Sequence, residues 1–167
     1  MTLSRKIIAT MLLGTLALSA VLSVSFYYTE KKNDLKRVDR TLMDWVDYTR
    51  ELLPEDYHDH IVDADSVPEE MYEKIVARNN RICRHMRLQY LWSVLVLDPE
   101  TIVFTTATSP GHDISRQDHA GFFEVHKDPG AFSGALETMR PRYSTFRNEW
   151  GYGRMVLVPG VDARGRV

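Results

Sequence analysis

The longest apolar stretch of the chain lies at its N-terminus, where residues 7–28 carry no charged side chain. As an α-helix this run would be about 33 Å long, which is enough to cross the hydrocarbon core of a bilayer. Arg5 and Lys6 precede it, and the aromatic cluster 26–28 ends it where lipid headgroups would meet water. We therefore expect an uncleaved transmembrane anchor.

Two features of this segment leave alternatives open. A cleavable signal peptide is the rival interpretation, because residues 17, 19 and 20 are small, although the apolar run continues well past them. Basic residues are also more numerous after the run than before it, which argues against an outward C-terminus. We still expect residues 1–6 in the cytoplasm and the rest outside, because large domains translocate largely regardless of their charge.

Beyond the anchor, apolar positions recur at alternating steps of three and four, which is the spacing of one face of an amphipathic helix. These positions are Leu35, Val38, Leu42, Trp45, Thr49 and Leu52. The face either packs on the core of its own domain or forms the seam of a dimer, and six positions do not separate the two interpretations. Pro54 ends the pattern, and residues 55–65 form an acidic connector with two histidines.

A second helix is predicted from Ser66, whose side chain can cap it while Glu69 completes a capping box. We expect its apolar face to contain Met71, Ile75, Ile82 and Met86. Cys83, the single cysteine of the chain, is interpreted as a small buried residue of this helix.

From Tyr90 the period changes to that of extended chain, which predicts strands over 91–97 and 102–107 joined by a turn at Pro99. This is an antiparallel hairpin. A long loop follows over 109–128, and loops of that length are usually functional or mobile.

A short helix over 129–139 and two further strands over 142–150 and 154–158 complete the pattern, with Gly-Tyr-Gly as the turn between the strands. Another turn is predicted at 162–166, after which we expect a further strand, so that the sequence is interpreted as a fragment. The predicted fold is α+β, an antiparallel sheet with long N-terminal helices, preceded by one transmembrane helix.

The composition of the chain excludes some classes of function but does not identify a binding partner. The length of 167 residues suits one domain with an anchor, and a net charge of −2 disfavours binding to nucleic acid through bulk charge. The chain contains no nucleophile elbow, no zinc-protease motif and no phosphate-binding glycine loop, so we expect neither catalysis nor a cofactor within these residues.

Three stretches carry a resemblance to a known family: RLQYLWSVLVLDPETIVFTTATSP, DHAGFFEVHKDPGAFSGAL and YSTFRNEWGYGRMVLVPGVDARGRV. They resemble the Cache, or extracytoplasmic PAS-like, sensor domains of bacterial membrane signal-transduction proteins. The resemblance implies a cytoplasmic tail over 1–6, a transmembrane helix over 7–28 and a periplasmic sensor domain over 29–167, anchored in the inner membrane.

The same resemblance implies a function. Such domains bind a small molecule on one face of the sheet and pass a displacement through their helices to a histidine kinase, a diguanylate cyclase or a chemoreceptor module. We also expect a homodimer. The alternatives are a dimerisation or adhesion module without a ligand, and metal or pH sensing by the loop histidines.

The candidate ligand-binding residues follow from the alternation of strand 142–150, whose Phe146 and Trp150 would face the core. Its opposite side would present polar groups to the loop, and a guanidinium there would suit an anionic carboxylate or phosphate. The arginine on that side, Arg147, could instead pair with Glu149 or Asp118. The full candidate set is Arg147, Tyr143, Thr145, Trp92, Tyr90, His119, Phe123 and Arg154.

Two further interpretations concern single groups of side chains. Trp92 would wall a ligand cavity or belong to the core. The long loop holds metal-ligand types at 112, 113, 118, 119 and 126, but their spacing matches no closed zinc motif, so a metal site, a proton sensor and solvated loop residues all stay open.

Overall fold

A computed structural model describes residues 3–113, 118–148 and 151–167, and its architecture is α+β. The chain divides into two compact units. The first unit is Met1–Trp45 with Thr145–Met155, and the second unit is Val46–Ser144 with Val156–Val167. Each is described by itself.

Most of the first unit is a single helix, α1 (Leu3–Arg50), whose last five residues belong to the second unit. None of its apolar N-terminal part is buried, and its mean hydropathy reaches 2.2 over 18 residues. By length and composition this helix could cross a membrane. The prediction that the helix extends beyond the apolar run is confirmed, and it ends at Arg50, ahead of Pro54.

The face predicted from the three-and-four spacing is the partly buried side of α1. Its residues at 35, 42, 45 and 49 are half-buried, whereas Val38 keeps 40% of its surface exposed. A helix ridge that is only partly covered is compatible with a core contact and with a dimer seam, so the two interpretations stay open.

The second helix, α2 (Glu69–Met86), corrects the prediction of a capping box. Pro68 occupies the N-cap position, and no side chain caps the helix. The Ser66 side chain is directed instead toward the residues that precede it. Its Oγ accepts hydrogen bonds from the backbone N–H groups of Val62 and Asp63 at 2.9 and 3.0 Å. The serine therefore closes the turn before the helix, and the proline that follows sets the start of the helix.

The buried face of α2 also differs from the predicted one. The residues buried on it are Tyr72, Ile75, Val76, Asn79, Asn80 and Cys83. Of the predicted face only Ile75 is buried, and Met71 is 46% exposed. Part of the difference arises because two asparagines are buried here through hydrogen bonds to Ala107 and Ser109, which an apolar periodicity does not register. The interpretation of Cys83 is confirmed, and burial raises the pKa of its thiol to about 12.

The predicted hairpin is confirmed as β1 (Ser93–Asp98) and β2 (Thr101–Thr106), which pair antiparallel. Asp98 Oδ1 closes the turn by accepting hydrogen bonds from the N–H groups of Glu100 and Thr101, both at 2.8 Å. At the free edge of β2 the chain near Val125 runs antiparallel, with Phe104 N–H donating to the Glu124 carbonyl at 2.9 Å. At the free edge of β1, Val96 N–H donates to the Val167 carbonyl at 2.7 Å.

The remaining elements are a 3₁₀ turn at Pro129–Phe132, helix α3 (Ser133–Thr138) and strands β3 (Arg142–Asn148) and β4 (Gly151–Leu157). The predicted short helix and the turn at 162–166 are confirmed. In that turn Asp162 accepts the backbone N–H of Arg166 and also binds its guanidinium, both at 2.8 Å.

The prediction of a Gly-Tyr-Gly turn is wrong, because residues 151–153 already belong to β4. Gly153 lies under the aromatic ring of Phe146, and a Cβ at this position would overlap that ring. The glycine therefore serves close packing across the sheet instead of a turn. Residues 149 and 150, where the sequence analysis placed Glu149 and Trp150 on the strand, lie outside the described residues.

The main core of the second unit lies between α2 and the β1–β2 hairpin, and residues of the connector before α2 also belong to it. Its buried members are Tyr57, Ile61, Val67, Tyr72, Ile75, Val76, Leu95, Val103 and Ala107. A second buried cluster joins Ile102 to Phe132 and Ala135 near α3 and to Leu157 of β4.

Candidate functional site

A cavity of about 250 Å³ opens beside the β1–β2 hairpin of the second unit. We call it the aromatic cavity. It is lined by Tyr90, Trp92, Phe104, Ala107, Thr108, Pro110, Asp118, His119 and Ala120. Three large rings and a few convergent polar groups are the usual composition of a small-molecule site.

The aromatic wall of the cavity is held by further rings behind it. The Trp92 and Phe104 rings meet edge to face, with their centroids 6.3 Å apart. His126 packs on Phe104 at a tilt of 37°, with ring centroids 5.1 Å apart. Phe132 packs on both His126 and Trp92, with centroid distances of 4.9 and 5.7 Å. Burial lowers the pKa of His126, so its ring is neutral at neutral pH. The wall is therefore a packed layer with little freedom to collapse.

The opposite wall is part of the long loop, and α2 holds it in place. His119 Nε2 lies 3.1 Å from Glu73 Oε1, and only 6% of the histidine side chain is exposed. One residue further, the Ala120 carbonyl accepts a hydrogen bond of 2.7 Å from the Tyr72 hydroxyl, and burial raises the pKa of this phenol. Two successive residues of the cavity wall are thus bonded to two successive residues of α2.

A buried polar group extends this attachment. Ser109 N–H donates to Asn80 Oδ1 at 2.9 Å, and Asn80 Nδ2 donates back to Ser109 Oγ at 3.1 Å. Ser109 Oγ lies 3.5 Å from His119 Nδ1. The order serine, histidine, glutamate is that of a hydrolase triad, but Ser109 has no exposed surface. A hydroxyl without access to substrate cannot act as a nucleophile, so the group is structural.

The charge of the cavity comes from Asp118. This residue is exposed at the rim, and among the described lining residues it is the one aspartate or glutamate. Within the part of the chain that the structure describes, no lysine or arginine lines the cavity. The aromatic cavity is therefore an apolar recess with a carboxylate at its edge.

The structure brings three of the predicted site residues, Tyr90, Trp92 and His119, to this cavity. Trp92 lines the cavity and also packs on the second buried cluster, and its expected role toward a ligand stays a prediction. Phe123 is a partly buried neighbour of the main core and does not line the cavity. Tyr143 belongs to the second unit as well but is also not among the lining residues.

The remaining predicted residues, Thr145, Arg147 and Arg154, belong to the first unit and do not line the aromatic cavity. Thr145 and Arg147 are exposed. Arg154 is held within its own unit by Asp39, which accepts hydrogen bonds from Nε and Nη2 at 2.7 and 2.8 Å. Hydrogen bonding to this guanidinium lowers the pKa of Asp39.

Sequence reasoning missed Phe104 and the loop residues of the cavity, among them Thr108 and Pro110. The signal for Phe104 was the strand alternation of β2, which places it on the side opposite the buried Val103. Asp118 was considered as a pairing partner for Arg147 and as one of the metal-ligand types of the loop, but not as part of a cavity with Trp92. No sequence pattern shows that a loop residue and a strand residue share one cavity.

The loop histidines do not form a metal centre in the described ranges, where no three histidine, cysteine, aspartate or glutamate side chains come together. Each is engaged elsewhere. His112 Nε2 lies 3.1 Å from the Gln89 carbonyl, His119 is bonded to Glu73, and His126 Nδ1 accepts the N–H of Asp128 at 3.0 Å.

A larger cavity of about 660 Å³ lies elsewhere in the second unit, along the edge of β1. Its arginines are bonded to protein groups: Arg50 to the Pro159 carbonyl, Arg78 to the Leu52 carbonyl and Arg166 to Asp162. It contains Trp92 but neither Tyr90 nor His119, and the edge of β1 beside it is where Val167 binds. We therefore take the aromatic cavity as the candidate site.

Comparison with protein-family models, with curated proteins and with solved structures finds no match to this chain. The function is therefore inferred from the geometry of the chain's own residues.

Proposed function

We propose that this chain is the ligand-sensing input region of a membrane-anchored signal-transduction protein of the Cache or PAS-like kind, and that it binds a small molecule in the aromatic cavity. The observation that carries the proposal is the attachment of one cavity wall to α2 through the His119–Glu73 and Ala120–Tyr72 bonds. A ligand that moves this wall would also move the helix.

The cavity supports the binding half of the proposal by its size and chemistry. A volume of about 250 Å³ suits a molecule of a few heavy atoms. The wall of packed rings is preorganised, which reduces the ordering cost of binding. Polar groups are few and lie at the loop side, where they would fix the orientation of a ligand.

Helix α2 supports the transmission half, because it also binds the chain at the end of α1. Arg78 Nη1 donates a hydrogen bond of 2.7 Å to the carbonyl of Leu52, two residues beyond the last residue of α1. Bonded contacts therefore run from the cavity wall through α2 to the end of α1. A ligand that prefers one of two arrangements of this path would shift their populations and move the anchoring helix.

The proposal also covers the membrane location, the oligomeric state and the output module of the protein. The apolar run of α1 would anchor the chain in a bacterial inner membrane, with the sensor region on the periplasmic side and a homodimer formed along the partly buried face of α1. The output would be a kinase, cyclase or chemoreceptor module.

The test is a thermal-shift panel on the full chain in lipid nanodiscs, with small amines, amino acids, organic acids and neutral alcohols as probes. A ligand of the folded state at a hundred times its Kd should raise Tm by about 5–10 °C. Ala120→Trp fills the cavity and should abolish the shift, whereas Ala163→Trp adds the same bulk at an exposed position and should keep it. If no probe shifts Tm, the proposal is contradicted and a ligand-free dimerisation module is favoured.

A further inference from the structure

We infer that the aromatic cavity takes an organic cation, a small molecule whose ammonium group lies between the aromatic rings and Asp118. The inference rests on the proposed function of this cavity and assigns its ligand class. It reverses the sign of charge that the sequence analysis expected for the ligand.

Aromatic side chains make up a third of the described residues that line the cavity. Tyr90, Trp92 and Phe104 line a cavity of nine residues, and the Trp92 and Phe104 planes stand at 86° to each other. Aromatic rings attract a cation at their faces, most strongly for tryptophan, and the attraction grows where water is excluded.

Two acidic side chains lie around the cavity. Asp118 contributes a carboxylate at the rim, and Glu73 contributes another behind His119. An anion would be bound best by a basic side chain among the lining groups. Both ring nitrogens of His119 face protein atoms, Glu73 Oε1 at 3.1 Å and Ser109 Oγ at 3.5 Å. Among the described residues that line the cavity, no basic side chain compensates Asp118.

Two arginines, Arg147 and Arg154, were candidates for binding an anionic ligand. Arg147 and Arg154 belong to the first unit and do not line this cavity. Arg154 is bonded to Asp39 through two of its nitrogens. Arg154 is thus already paired with a carboxylate inside its own unit.

The test uses three probes of one shape on the full chain in nanodiscs: choline, its neutral carbon isostere 3,3-dimethylbutan-1-ol and the anion 3,3-dimethylbutanoate. Isothermal titration should give a Kd for choline at least about tenfold lower than for either of the others. Trp92→Leu should raise the choline Kd about tenfold, through loss of the ring face.

Asp118→Asn should raise the choline Kd about three- to fivefold, because an exposed carboxylate contributes modestly, and should leave the neutral probe unchanged. Asp65→Asn removes an exposed carboxylate outside the cavity and serves as the matched control, with no change in the choline Kd.

The outcomes separate this inference from the proposed function. If the neutral or the anionic probe binds as tightly as choline, and Ala120→Trp blocks that binding, the cavity binds ligands but the cation assignment is overturned. The same conclusion follows if only uncharged or acidic members of the thermal-shift panel bind. If no probe of either set binds, both are overturned.

Discussion

His119 Nε2 lies 3.1 Å from Glu73 Oε1, so a residue in the wall of the aromatic cavity is bonded to a residue on the surface of α2. The histidine side chain is 6% exposed and the glutamate side chain 35%. This pair fixes which nitrogen of the imidazole carries a hydrogen, since a carboxylate only accepts.

Glu73→Ala should lower the free energy of unfolding by about 1–2 kcal/mol, because it leaves the buried His119 nitrogen without its acceptor. Glu70→Ala on the same helix is the matched control. Glu70 pairs with Lys74 at a fully solvated surface, with side chains 83% and 73% exposed, so its loss should cost no more than about 0.5 kcal/mol. Urea unfolding of the full chain in nanodiscs measures both, and equal losses would contradict the role of the His119–Glu73 pair.

The position of the β1–β2 hairpin on the core gives a second prediction. Leu95 is 1% exposed and Leu97, two residues along the same strand, is 43% exposed. Leu95→Ala should cost about 2–5 kcal/mol through lost burial and the cavity left behind. Leu97→Ala should cost less than about 1 kcal/mol, because its side chain already meets water. A larger loss for Leu97→Ala would mean that β1 packs in a different register.

The contact between Gly153 and Phe146 predicts a non-additive pair of substitutions. Gly153→Ala alone should cost about 1–3 kcal/mol, because the new methyl group would meet the Phe146 ring. In a Phe146→Ala background the same change should be neutral or stabilising, since alanine restricts the unfolded chain more than glycine does. A double-mutant cycle measures this coupling, and additive losses would show that the ring does not lie on the glycine.

The dependence of stability on pH should report His58. Burial lowers the pKa of His58 from its ordinary value of 6.5, and its Nε2 lies 3.1 Å from Thr105 Oγ1. Below about pH 6.5 the unfolded chain therefore binds a proton that the folded chain refuses. The stability contributed by the neutral ring is complete above that pH and is lost as pH falls toward the folded-state pKa.

Between pH 7.5 and pH 5.5 the free energy of unfolding should fall less steeply in His58→Gln than in the wild type. The difference cannot exceed about 1.4 kcal/mol per pH unit for one group. Burial also lowers the pKa of His126, so a His58→Gln, His126→Gln double variant should be flatter still. Parallel slopes in all three proteins would contradict the assignment of the pH dependence to these rings.

Two wrong predictions show that one local sequence pattern can be compatible with two different local structures. Ser66 with Glu69 has the spacing of a capping box, yet the serine hydroxyl bonds to the turn that precedes the helix. Gly151 and Gly153 have the composition of a turn, yet both lie in a strand. In each case a second local arrangement uses the same residue types, and the neighbouring structure decides between them.

The sequence by itself determined the continuous helix α1 with its apolar run, the β1–β2 hairpin, the short helix α3 and the α+β class. Each of these depends on periodicity and turn chemistry that act within a few residues. Only the tertiary structure decided that Tyr90, Trp92 and His119 share a cavity with Phe104 and Asp118, and that Arg147 and Arg154 do not line it. Contacts between residues far apart in the chain depend on how elements pack, and neither hydropathy nor spacing records that packing.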